Sequence, residues 1–312
     1  MRIAIYGAGA VGGFLGAHLA RAGRDVAVVA RGPHLEAIRA RGLTLETPGE
    51  TFTVPLEASD DPAAIGPVDL VVVSLKTTAN PAVARGIGPL LHDRTAVAFA
   101  QNGVFWFYGA GFDPGVPFAT GRLDPEGRLA AAVPPERAMG LIIYSPNEVT
   151  EPGRVVCSTG RSYFQLGAAT AGNRQVDAMA AALGGAGLDV RTPPDFRAAM
   201  WAKLLVNLSS APMSALTGSD AAGLILEPGL KEVCRQMVLD AAAVAAAHGF
   251  DDLGSTPRRW WRRPRAGRSS PRCCRTSSAA GRWRSIPCWP SSRISRGRPV
   301  WRHRRSTRSW RF

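Results

Sequence analysis

The sequence predicts an α/β protein: a doubly wound sheet over residues 1–172, then an all-helical C-terminal domain over residues 173–252. Three observations carry this. Short, continuously apolar runs recur in the first half, as strands buried on both faces of a parallel sheet do. The segments between them read as helices, and such alternation argues a doubly wound domain. After about Gly172 only helical periodicity is visible.

The elements follow in order. Residues 2–6 (RIAIY) form a first strand, and residues 14–22 a helix with small apolar side chains on one face. Residues 26–30 (VAVVA), 70–75 (LVVVSL) and 96–100 (AVAFA) are further buried strands. Residues 44–55 look like a hairpin on the sheet edge, and residues 139–144 and 163–166 add strands. Helices are expected over 174–183, 196–216 and 230–248. A spacing near 3.6 is carried by Met200, Leu204 and Leu208, and again by Val233, Met237, Ala241 and Val244. No strand is expected after residue 172, and no internal repeat is visible.

Length and composition bound the function. A chain of 312 residues can hold two domains with a buried core. A hydrophobic content of 46% is ordinary for a soluble globular protein. No apolar run reaches the roughly 18 residues of a bilayer span. Residues 1–6 run straight into a glycine loop, which leaves no signal layout, so a cytoplasmic location is expected. The five cysteines lack zinc-ligand spacing and suggest neither a metal site nor a disulfide framework. Cys157 and Cys234 read as small core residues.

The net charge of +14 suggests a nucleic-acid binder, but it is unevenly spread. Residues 253–312 contain 18 Arg and no Asp, Glu or Lys, which leaves 20 basic and 24 acidic residues in a mildly acidic body. Body and tail need separate explanations.

Gly7-Ala8-Gly9-Ala10-Val11-Gly12 sits directly after a strand and opens a helix. In that context G-x-G-x-x-G is the loop of a Rossmann-type, dinucleotide-binding βαβ unit, whereas alone it is only a glycine turn. Gly7 permits the tight turn, Gly9 lets the backbone approach a pyrophosphate, and Gly12 lets the helix pack on the strand. The helix N-terminus then offers unpaired N–H groups to the phosphates. An NAD site usually ends its second strand with Asp or Glu on the ribose 2′-hydroxyl. Here Arg31 follows that strand. A guanidinium pairs with a 2′-phosphate that a carboxylate would repel, so NADP(H) is expected. The alternative is a solvated surface arginine.

Lys76 follows LVVVSL and Asn102 follows AVAFA, at the carboxyl ends of strands where α/β proteins bind ligands. Lys203 and Asn207 are four residues apart on one helix face. A lysine on a largely apolar helix either snorkels to water or is partly buried for a function, and the residues alone leave both open.

Together, GAGAVG, Arg31, SLKT around Lys76, QNG around Asn102 and KLLVNLSSAPMSALTG from Lys203 resemble the ketopantoate reductase (2-dehydropantoate 2-reductase) family over residues 1 to about 250. The resemblance implies an N-terminal Rossmann domain, a helical C-terminal domain and an active site between them. It implies NADPH-dependent reduction of 2-dehydropantoate to pantoate, a step towards pantothenate and coenzyme A. Lys203 then matches the proton donor, able to stabilise and protonate the developing alkoxide. Asn207 matches a substrate-binding residue, and Lys76 and Asn102 lie beside the nicotinamide and ribose. The implied partner is a small 2-keto acid, and a homodimer is compatible with the reading. Neither membrane nor nucleic acid is expected. Ala211, before Pro212, stands where the family usually has a second Asn, so a related 2-keto acid remains open as substrate. Phe105, Trp106, Phe107 and Tyr108 open a long segment and either cover the cofactor or pack in the core.

Residues 253–312 hold 6 of the 8 Trp and show no periodicity. The family ends instead with helices carrying Ser-Met-Leu-Gln-Asp and Glu-Ile-Asp stretches, whose Ser and Glu help bind substrate and cofactor. Neither is present as written. Out-of-frame translation of a GC-rich gene accounts for this composition. Arg272-Cys273-Cys274-Arg275-Thr276, if encoded CGA-TGC-TGC-AGG-ACC and read from the third base, gives Met-Leu-Gln-Asp. Residues 281–289, if encoded GGC-CGG-TGG-AGA-TCG-ATC-CCG-TGC-TGG, give Pro-Val-Glu-Ile-Asp-Pro-Val-Leu in the same frame. Residues 300–310 permit Val-Ala-Thr-Pro-Thr-Leu-Asp-Ala-Val-Leu. The rival reading is a genuine Arg/Trp arm that neutralises phosphates and stacks on bases. If the chain is made as written, weak or absent activity is expected, and a non-catalytic NADP-binding pseudo-enzyme is the alternative function.

Overall fold

Strand β1 (Arg2–Tyr6) lies between two cores, because its side chains alternate across the sheet. The computed structural model describes residues 1–113, 115, 120–173 and 175–253; the basic tail from residue 254, with the readings placed on it, lies outside them. Ile3 and Ile5 face one core, and Ala4 and Tyr6 the other. The same alternation sorts β2 (Asp25–Val29), β6 (Leu70–Val73) and β7 (Ala96–Phe99) between the two cores. This is why those runs, apart from Arg2 and Asp25 at the starts of β1 and β2, are continuously apolar rather than apolar at every second position.

The main sheet has the order β12-β11-β8-β7-β6-β1-β2-β5. Its further strands are β5 (Glu57–Ser59), β8 (Ala138–Tyr144), β11 (Tyr163–Ala168) and β12 (Asp189–Arg191). All neighbours run parallel except β8 and β11. β12 corrects the expectation of no strand after residue 172. With three residues and a charge at each end, it is too short to show a period.

A second sheet has the order β4-β3-β10-β9, from β3 (Leu43–Glu46), β4 (Thr51–Val54), β9 (Asn147–Glu151) and β10 (Arg154–Cys157). The expected hairpin is therefore present as β3 and β4, but in this sheet and not on the edge of the main one. Its buried Leu43 and Leu45 belong to the core that also takes in helix α1 (Ala10–Arg21). The small side chains of α1 now have a reason. A Cβ on Gly13 would lie 2.7 Å from Val155 of the second sheet, and one on Gly12 2.9 Å from Ile5 of the first. The helix is held between two sheets.

Short helices α2 (Gly32–Arg41), α3 (Pro62–Ile65), α4 (Asn80–Gly86) and α5 (Arg128–Ala132) join the strands. Helix α6 (Gln175–Gly184) packs on β11 and β12. The last three are α7 (Phe196–Thr217), α8 (Ala221–Leu226) and α9 (Pro228–Ala247). Asp195 caps α7 by accepting from the Ala198 N–H at 2.9 Å. The Arg197 guanidinium ties α7 to the sheet region by donating to the carbonyls of Tyr108, Ala110 and Ala169. Trp201 Nε1 donates to the Tyr108 hydroxyl at 3.0 Å. Phe105, Trp106, Phe107 and Tyr108 are all buried, so the structure decides for packing.

The apolar periods of α7 and α9 turn out differently. Met200 is buried, but Leu208, Val233 and Val244 are exposed. The buried residues of α9 are Cys234, Val238 and Ala245, one position round the helix. A stripe of this period ordinarily faces a core; here α9 meets α7 through the neighbouring stripe. Cys157 and Cys234 are free and buried, as small core residues are.

Candidate active site

The glycine loop leaves β1 through Gly7, whose φ of 107° is a glycine conformation. The N–H groups of Gly7 and Ala8 both donate to the Val29 carbonyl, at 3.0 and 3.1 Å. Gly12 is glycine for packing: a Cβ there would sit 2.0 Å from the Gly7 carbonyl oxygen. That oxygen also accepts from the Ser74 hydroxyl. Gly9 is different. A Cβ at Gly9 would meet nothing within 4 Å. Gly9 is the N-cap of α1, with no side-chain cap and no acid in the first turn. Open space therefore lies beside the unpaired N–H groups of Ala10, Val11 and Gly12, and it suits an anion. The residues present fit a dinucleotide pyrophosphate.

His34 braces the loop. Its Nε2–H donates to the Ala8 carbonyl at 2.8 Å, and Nδ1 accepts from the Gly153 N–H at 3.0 Å. These two backbone partners assign the neutral tautomer. Nothing local in the sequence marks His34, because its partners lie 26 and 119 residues away. Arg31 sits at the end of β2 as the N-cap of α2, exposed and in no ion pair with a described carboxylate.

The carboxyl ends of β6, β7 and β8 open beside this loop. The strand order reverses between β1 and β6, which is where open α/β sheets take their ligands. Lys76 is exposed just beyond β6. The buried Gln101 donates from Nε2 to the Leu75 carbonyl at 2.8 Å and to Asn80 Oδ1 at 3.1 Å, linking the exits of β6 and β7. Asn102 is exposed, with Oδ1 accepting from the Ile143 N–H of β8 at 3.3 Å.

Lys203 reaches the same place from α7. Its Nζ lies 4.1 Å from the centroid of the Tyr144 ring, which ends β8 next to Ile143. Tyr144 stacks on Tyr163 at 4.2 Å, and the Arg191 guanidinium lies 4.1 Å from the Tyr163 ring. Lys203 and Asn102 thus meet adjacent residues of one strand. Burial lowers the Lys203 pKa below the ordinary lysine value. Burial, with a smaller effect of Tyr163, keeps the Tyr144 hydroxyl protonated far above neutrality. Asn207 lies one turn further along α7, half-buried and without a hydrogen bond to another described side chain or backbone group. Ala211, another turn on, is exposed.

The family model described as "Ketopantoate reductase PanE/ApbA" matches residues 3–170, and its C-terminal counterpart matches residues 195–270. The 2-dehydropantoate 2-reductase of Mesorhizobium japonicum is 40% identical over 255 residues, covering 80% of this chain and 77% of its own. The chain belongs to the ketopantoate reductase family.

Other relatives agree. The 2-dehydropantoate 2-reductase of Mycobacterium tuberculosis is 30% identical, covering 79% of this chain and 74% of its own. A ketopantoate reductase structure from Ralstonia eutropha JMP134 has 32% identity and a TM-score of 0.69, covering 83% of this chain and 80% of that one. D-mandelate dehydrogenase, solved with NADH and anilino(oxo)acetate, shares the fold at 20% identity with a TM-score of 0.71, covering 84% of this chain and 79% of that one.

In this ketopantoate reductase family member, the α/β sheet and the following helices have the arrangement expected from sequence. Gly7–Gly12, Lys76, Asn102 and Lys203 converge on the carboxyl side of the sheet, with Arg31 at its rim. Ser74 and Gln101, which lie inside the SLKT and QNG motifs without being singled out as site residues, are additions, and so is Tyr144, which no motif or spacing marks. Among the described residues, no group of three His, Cys, Asp or Glu side chains could hold a metal ion, and no helix is long and apolar enough to cross a membrane.

Proposed function

We propose that this chain reduces 2-dehydropantoate, or a closely related 2-keto acid, to the 2-hydroxy acid with NADPH, in the cytoplasm and on the route to pantothenate. The carrying observation is Lys203: an amine half-buried on α7, held over Tyr144 and one residue along β8 from the partner of Asn102.

The N–H groups at the start of α1 hold the pyrophosphate, and Arg31 pairs with the 2′-phosphate. Lys76 and Asn102 would flank the ribose and nicotinamide of a bound NADPH. NADPH, when bound, supplies the hydride. The protein's own work is on the substrate oxygen. Lys203 Nζ donates a hydrogen bond to the ketone and gives up its proton as alkoxide charge develops. Burial lowers the Lys203 pKa and so makes it a stronger acid near neutral pH. The Tyr144 ring offers its negative face to the ammonium and holds it in position without removing its proton. Asn207, one turn along, orients the substrate.

The test is NADPH oxidation by the purified protein with 2-dehydropantoate and a set of other 2-keto acids. Lys203→Ala is expected to keep NADPH binding and lose turnover. Retained turnover in that variant refutes the mechanism.

A further inference from the structure

Six of the eight large exposed hydrophobics among the described residues lie between residues 208 and 244. Scattered exposed leucines are normal, but a concentration is not. Leu216 is 82% exposed, Leu226 65% and Val244 52%. Val233, Met237 and Val244 share one face of α9, and Leu208 and Leu216 share one face of α7. The core formed between these helices themselves is correspondingly small: its buried members are Met213, Leu224 and Cys234. Three helices with these apolar periods have the surface for a larger core than the described residues supply.

The sequence shows a break at the same point of the chain. Every acidic residue and every lysine precedes residue 253, and the last 60 residues carry 18 Arg. The Mesorhizobium japonicum relative matches 80% of this chain and leaves 23% of its own length unmatched. The unmatched fifth of this chain is about the size of the arginine-rich tail, of which the C-terminal family model matches only the first part, to residue 270.

Read one base out of register, the tail changes character. Residues 281–289 permit Pro-Val-Glu-Ile-Asp-Pro-Val-Leu, and residues 300–310 permit Val-Ala-Thr-Pro-Thr-Leu-Asp-Ala-Val-Leu. In these two permitted readings carboxylates return, arginine disappears and apolar residues come at intervals, a composition like that of the body. A segment of this kind can lay apolar side chains on Leu216, Val233 and Val244 and leave its carboxylates in water.

We propose that the exposed apolar face of α7, α8 and α9 is the seat of a C-terminal segment that the gene encodes one base out of frame after about codon 255. Among the described residues, nothing covers that face.

The gene's nucleotide sequence is the first test. The shifted frame is expected to run open to the end of the tail and to restore Asp and Glu codons; a stop codon or an arginine-rich reading there overturns the proposal. The second test compares the full chain as written with the frame-restored chain, using an apolar dye and thermal melting. The written chain is expected to give several-fold higher dye fluorescence and a lower Tm. The double variant Leu216→Asp, Val244→Asp should reduce dye binding in the written chain and lower the Tm of the restored one. Equal dye binding by both chains, an insoluble restored chain, or a written chain that forms a dye-free dimer overturns the proposal; in the last case the occupant is a second copy.

Discussion

Two alanine substitutions in the same loop should have opposite consequences. In Gly12→Ala the new methyl would lie 2.0 Å from the Gly7 carbonyl oxygen and 2.3 Å from Ser74 Oγ. An ordinary contact needs more than an ångström beyond the first of these. The oxygen is backbone and already hydrogen-bonded to Ser74, so it cannot simply turn away. Over-packing costs roughly 1–3 kcal/mol, and this case belongs at the upper end. At about 2–4 °C per kcal/mol for a domain of this size, the Tm should fall by about 6–12 °C. In Gly9→Ala the methyl meets no protein atom within 4 Å, and the backbone (φ −67°, ψ −160°) is extended and open to alanine. Stability should stay within about 0.5 kcal/mol. The methyl does enter the space assigned to the pyrophosphate. Losing one hydrogen bond to a charged group, worth about 1.5–3 kcal/mol, weakens NADPH roughly ten- to hundredfold. Thermal melting without ligand and a fluorescence titration with NADPH measure the two effects. Unchanged NADPH affinity in Gly9→Ala would show that the loop does not hold the pyrophosphate. An unchanged Tm in Gly12→Ala would show that the helix contact is not tight.

Arg31→Ala should weaken NADPH roughly ten- to hundredfold and leave NADH nearly unaffected, as the loss of one charge-assisted bond requires; parallel titrations with the two cofactors decide it. Lys203→Ala should lower kcat by about 10²–10⁴, the usual range for a general acid, with NADPH affinity retained. The Lys203 amine must be protonated to act, and its folded pKa is lowered, so kcat should fall with rising pH before an ordinary lysine would titrate. The stability effect has the opposite sign. Between the lowered pKa and the unfolded value of 10.5 the unfolded chain binds more protons, so stability rises with pH in that window. Lys203→Met should therefore melt higher than the native chain near neutral pH while losing turnover. Tyr144→Leu removes a cation–π contact worth about 0.5–2 kcal/mol and should lower kcat several-fold, whereas Tyr144→Phe keeps the ring and should match the native rate; equal kcat in all three proteins would remove Tyr144 from the site.

Much of the fold was legible because the signals are local. Strands β6 and β7 are apolar at every position and β1 and β2 at every position after the first, and GAGAVG lies between the first strand and its helix. What escaped was short or paired at a distance. β12 is three residues long, and β9 is polar because it lies at a sheet edge, so neither carries a period. The site divides in the same way. Glycines, Arg31, Lys76 and Asn102 can be read from their places beside strands. His34 and Tyr144 cannot, since each matters through a partner dozens of residues away in the chain. The apolar period of α9 is real in the sequence, yet Val233 and Val244 face outward, because periodicity reports a face and not what covers it.

The seating of α1 between two sheets has a consequence for how cofactor choice can change. Gly12 and Gly13 in the first turns of that helix touch protein on two sides, so inherited variation at those two positions damages the fold. Arg31 stands on an exposed rim, joined to the rest by little more than its backbone. On the proposed assignment, a lineage carrying this architecture could exchange one dinucleotide for another by altering the rim alone, while the helix assigned to the part both dinucleotides share stays the same.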